Sequence, residues 1–217
     1  MHPNVRAAVA AALVGMALVG FGAGGAPKPA GEDAASDTSQ KAAGTVVGGA
    51  GAIHVDDGGS GGVPVVFVHA FSGNAGHWAQ ALDHLRPTRR ALAFDLRGHG
   101  TSAAPATPEG WAVDSLATDI AAVADQLGLE RFVLVGHSLG GAASAAYAGA
   151  HPDKVAGLVL VGTPGKSPPG VGEKIVSQLE ASYDSTMQGF WGRLLKGAIP
   201  ETEARIRGES SSLPKDA

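Results

Sequence analysis

Gly136-His137-Ser138-Leu139-Gly140 is where residue types and spacing in this chain can perform a covalent step. A serine with glycines two positions before and two after it marks a nucleophile elbow, a turn too sharp for side chains at either flank. Phe132 to Val135 (FVLV) reads as a buried strand ahead of it, and Ala142 to Ala150 as a small-residue helix behind it. In that setting the Ser138 hydroxyl stands clear at the C-terminal end of a strand, above the positive end of a helix. Its chemistry would be attack on an ester-like carbonyl. Gly136 and Gly140 are the elbow glycines.

Such attack needs donors for the charge that develops on the carbonyl oxygen. The backbone N–H of Leu139 is one candidate. The other is the backbone N–H of Phe71, in His69-Ala70-Phe71-Ser72-Gly73-Asn74, which follows the apolar run Val63–Val68. A third segment, Asp95-Leu96-Arg97-Gly98-His99-Gly100-Thr101-Ser102, closes the run Ala91–Phe94. Together these segments resemble the α/β-hydrolase family over roughly residues 50–165. There the first usually reads H-G-x-P-G and the second D-x-R-G-x-G-x-S; here Ala70 replaces the glycine and Ser72 the proline. The resemblance implies a serine hydrolase of the esterase type, with a small-molecule substrate and no cofactor.

The elements that must position these residues alternate. Ala52–Val55, Val63–Val68, Ala91–Phe94, Phe132–Val135 and Val155–Val161 read as strands. Between them, helical spacing runs over about 75–85, with Trp78, Ala81, Leu82 and Leu85 on one stripe. It returns over 113–127, with Leu116, Ile120, Val123 and Leu127. Such alternation predicts an α/β fold, a mostly parallel sheet with helices on both faces. Residues 45–166 are the expected core, and 167–217 are expected to form partial lid or cap helices, around 171–183 and 186–196.

The front of the chain reads differently. Arg6, the apolar run Ala7 to Phe21 and the small residues after it have the order of a signal peptide, assigned to 1–26. Residues 27–44 lack large apolar side chains and read as a disordered linker. Export to the periplasm or the exterior is expected, or retention there by an uncleaved anchor.

Composition excludes several classes. With no cysteine there is no disulfide, thiolate metal site or cysteine nucleophile. A formal charge of −4 without a basic cluster argues against nucleic acid. No histidine pair has the spacing of a zinc helix, so no metal is expected. His69, His99 and His137 read as loop-shaping residues, His54 and His84 as solvent-facing, and His151 as a helix end.

The family's order is serine, then acid, then histidine, and no histidine follows His151. His69 and His99 are the substitutes the sequence offers, with Asp95 a candidate to orient His99. The expectation is a C-terminally truncated hydrolase, crippled because acid and base are absent; the alternative is a non-catalytic fold remnant or exported binding module. Tyr183, Phe190, Trp191, Leu194 and Leu195 suggest an apolar lid, hence an apolar acyl or alkyl group, with ordinary core packing equally open. Oligomeric state is not legible.

Overall fold

The computed structural model describes residues 42–163, 165 and 169–210. The expected signal peptide, and the linker as far as residue 41, lie outside the described residues. Six strands form one sheet: β1 (Ala42–Gly48), β2 (Gly51–Gly58), β3 (Val65–Val68), β4 (Ala91–Phe94), β5 (Phe132–His137) and β6 (Val155–Val161). Their spatial order is β1-β2-β4-β3-β5-β6, antiparallel along β1, β2 and β4 and parallel from β4 to β6. Helices α1 (Ala79–Leu85), α2 (Val113–Gln126) and α3 (Leu139–Ala150) connect the parallel strands, followed by α4 (Val171–Ala181), α5 (Tyr183–Leu194) and α6 (Pro200–Ser210).

The parallel strands are apolar on both faces because both faces are covered. Val66, Val68, Leu92, Phe94 and Leu134 pack with Leu116, Ile120, Val123, Ala143 and Tyr147 of α2 and α3. The alternate residues Val65, Phe67, Ala91, Ala93 and Val135 pack with Leu82, and with Trp78, Ala81 and Leu85. That is the stripe read from the sequence. At the edge, β6 exposes Leu158, Val159, Leu160 and Val161 by 37–47%.

Two readings are corrected. The first strand begins at Ala42, inside the expected linker, and the hairpin β1–β2 was not anticipated as a pair. Strand β2 also runs through Asp56, Asp57 and Gly58, which look like a turn. Asp56 and Asp57 stand opposite Ala93 and Leu92, and cations 30 and more residues along the chain neutralise them. Arg86 Nη2 donates to Asp56 at 2.8 Å, and Arg90 Nη2 to Asp57 at 2.6 Å. Helix α6 is a further element that the sequence reading did not include.

Candidate active site

Ser138 lies between β5 and α3, at φ 51° and ψ −112°. A side chain there costs on the order of 1–3 kcal/mol of backbone strain, so the turn must be over-determined. It is. The Ser138 N–H donates to Val161 O at 2.9 Å, tying the elbow to β6, and Ser138 O accepts from Ala142 N at 3.1 Å. A Cβ on Gly136 would lie 2.6 Å from Gly140 O and from Gly141 Cα; one on Gly140 would strike the carbonyls of Val68 and His69. Both elbow glycines are therefore steric necessities, and the elbow presses directly on the end of β3.

A serine at a helix N-cap normally accepts from a backbone N–H of the first turn. Ser138 makes no such cap bond, and its buried Oγ has no partner among the described residues. Leu139 opens α3, so its N–H has no acceptor within the helix. Val68 pairs in register with Gly136, which sets Phe71 and Ser138 just past neighbouring strand ends. The Phe71 N–H makes no backbone hydrogen bond among the described residues. The loop between them departs from the family pattern: Ser72 takes φ 57°, which a proline ring cannot adopt.

The histidines separate by their partners. His69 is buried, and its Nε2 stands 2.9 Å from the Leu96 N–H, so it must accept. Its proton is then on Nδ1, which donates to Ala70 O at 2.7 Å. Both nitrogens are committed to joining the loop after β3 to the loop after β4, and none remains for Ser138. His99 donates from Nδ1 to Arg97 O at 3.0 Å, and its buried Nε2 has no partner among the described residues. That nitrogen and Ser138 Oγ are not bonded to each other. Asp95 does not orient His99. Its Oδ1 accepts from Ala75 N at 2.7 Å and its Oδ2 from Thr101 N at 2.9 Å, so the carboxylate staples its own loop. His137 is half-buried beside Gly162, His84 is exposed, His54 is half-buried in β2, and His151 caps the C-terminus of α3. Among the described residues no three His, Asp or Glu side chains gather as a metal would need.

One group was not singled out in the sequence, and a second was read there only in part. Arg97 and Asp119 form a buried ion pair, Nε to Oδ2 at 2.7 Å, joining the loop of His99 to α2. The other is the apolar floor of α4 and α5. Leu179, Met187 and Phe190 are buried, and Phe71, Trp111, Ile175, Tyr183, Trp191 and Leu194 pack against them. Of the expected lid residues, Phe190 and Leu195 are buried. Phe71 belongs both to this cluster and to the edge of the main core, so the helices rest on the loop after β3.

Burial also sets the imidazoles' charge. Desolvation first, and the neighbouring His99 second, hold His69 well below the usual value of about 6.5. Desolvation likewise lowers His99, and lowers His137 with help from His77. A histidine depressed in the fold stays neutral while the unfolded chain takes up a proton. Stability is therefore fully present above about pH 6.5 and is lost as pH falls toward the folded values, by up to about 1.4 kcal/mol per pH unit for each fully buried ring. Urea unfolding should show a midpoint that falls between about pH 7 and 5, above the range where carboxylates titrate. A flat or rising midpoint contradicts this assignment.

Residues 63–197 match the family model described as the alpha/beta hydrolase fold. The chain belongs to the α/β-hydrolase fold family. It is 37% identical over 142 residues to a dihydrolipoyllysine-residue acetyltransferase component of an acetoin cleaving system from Pseudomonas putida, covering 65% of this chain and 35% of that one. It is 41% identical over 101 residues to a human (lyso)-N-acylphosphatidylethanolamine lipase, covering 45% and 29%. Among solved structures, it resembles Est816, described as an N-acyl homoserine lactone degrading enzyme, at TM-score 0.68 and 30% identity over 77% of this chain and 65% of that one. An esterase from Exiguobacterium antarcticum matches at TM-score 0.69 and 25% identity, over 80% and 69%. The chain spans about a third of the length of the curated relatives it matches.

Proposed function

We propose that this chain carries the nucleophile half of a serine hydrolase acting on ester-like bonds, with Ser138 as nucleophile. The observation that carries this is a buried serine hydroxyl, unbonded, on a strained turn at the mouth of a helix. Such strain persists where function requires it. In the reaction Ser138 Oγ would attack the carbonyl carbon, and its proton would pass to a base. The oxygen of the tetrahedral adduct would lie between the N–H groups of Leu139 and Phe71. The likeness to lipases and esterases supports an ester-like substrate. An apolar acyl or alkyl group suits the α4–α5 cluster resting on Phe71. Among the described residues no histidine bonds Ser138 Oγ, which supports the reading that these residues by themselves turn an ester over poorly.

An alkylboronic acid tests the nucleophile without needing a base. Serine adds its oxygen to the trigonal boron, forming one O–B bond and releasing its proton to solvent. Boron NMR should show tetrahedral boron bound to the wild-type chain and none bound to Ser138→Ala. Equal signals in the two proteins, or none in either, overturn the assignment.

A further inference from the structure

The loop after β4 presents a second unpaired atom near this site. His99 is 3% exposed, and its Nε2 finds no partner among the described residues. Because Arg97 O can only accept, the proton sits on Nδ1, which leaves Nε2 a bare acceptor. Burial keeps the ring neutral, so that lone pair persists. A buried acceptor without a donor costs about 1–3 kcal/mol. Natural folds rarely retain that cost without a use or an ordered water.

The ring is also held in place. Gly98 and Gly100, at φ 71° and 52°, flank it, and side chains on them would strike Trp111 and Asp95 respectively. The His99 N–H donates to Leu96 O at 2.9 Å, and its carbonyl accepts from Ser102 N at 3.0 Å. Arg97, clamped to Asp119, carries the carbonyl that orients the imidazole. The ring meets Phe71 edge-on, with centroids 5.9 Å apart, and His69 at 5.2 Å. A preorganised acceptor beside the loop of Phe71 is built to receive a donor.

We propose that His99 Nε2 is a substrate-binding acceptor that selects esters bearing a hydroxyl or amide N–H several bonds from the carbonyl. The span follows from the sheet. Strand β3 separates β4 from β5, so the loops of His99 and Ser138 begin about 10 Å apart, two strand spacings. That spacing favours a donor several bonds from the carbonyl over one on the α-carbon. This inference rests on the reading of Ser138 as the place of the carbonyl, and its test is read without the Ser138 hydroxyl.

The probes are the methyl ester of a medium-chain ω-hydroxy fatty acid and its match with a methyl group in place of the hydroxyl. They are titrated into the full chain carrying Ser138→Ala, which prevents turnover. The hydroxy ester should bind about tenfold more tightly, one hydrogen bond's worth. Only it should shift the His99 Nε2 signal in long-range proton–nitrogen spectra of the histidine side chains. Adding His99→Phe should bring the two affinities together, provided the thermal transition shows a folded chain. The spectrum of the His99-containing protein decides the matter if that variant does not fold. Equal affinities, no binding of either ester, or a His99 signal that ignores both overturn the proposal; the last would mark a nitrogen satisfied by water. A hydroxyl preference that coexists with a failed boronate experiment keeps the binding site and discards the nucleophile.

Discussion

A polypeptide of these 217 residues will hydrolyse nitrophenyl esters no faster than its Ser138→Ala variant. The reason is geometric. A base must reach the serine hydroxyl at about 2.6–3.2 Å or through one water. His69 has spent Nε2 on Leu96 N and Nδ1 on Ala70 O. His99 keeps a bare Nε2, but among the described residues neither it nor Ser138 Oγ has a hydrogen-bond partner, so they do not meet. Asp95, the carboxylate nearest His99 in sequence, is committed to Ala75 and Thr101. Without its histidine a triad loses on the order of 10⁶ in turnover, about 8 kcal/mol, and only donors and binding remain. Serine-dependent turnover above about 1 s⁻¹, inside the usual enzyme range, contradicts this. His99→Ala would then show whether the imidazole swings to the serine.

The second large effect is on stability. Asp119→Ala should cost about 3–5 kcal/mol, a large share of the stability of an ordinary domain. Asp119 is fully buried and Arg97 nearly so. The guanidinium donates to both carboxylate oxygens, to Gly110 O at 3.2 Å and to Thr118 Oγ1 at 3.0 Å. Removing the carboxylate leaves a cation that can neither lose its proton nor reach water. Removing both charges is a different case. Arg97→Met with Asp119→Leu takes away the desolvation cost along with the attraction and should lie within about 2 kcal/mol of wild type. Chemical unfolding of the three variants checks this. A double variant as unstable as the single one shows that the pair itself stabilises the fold.

Much of the site was legible because it is local. The elbow is five consecutive residues, and its glycine requirement comes from clashes that any strand–turn–helix of that sharpness creates. The parallel strands were legible for a related reason: a strand covered on both faces is a continuous apolar run wherever it sits. Strand β1 was hidden because Ala42–Gly48 is poor in large apolar residues and is held by its partner across a short turn. The aspartates of β2 looked like a turn because the arginines that neutralise them come from beyond β3.

The histidines mark the boundary most sharply. His69 and His99 were equal candidates in the sequence, each at the start or heart of a loop beside a strand end. The fold separated them by giving one both a donor and an acceptor and the other only an acceptor. A side chain's type determines which hydrogen bonds it can make, and the sequence states the type. Which of them it does make depends on backbone groups as far as 27 positions away, and only the folded chain brings those within 3 Å.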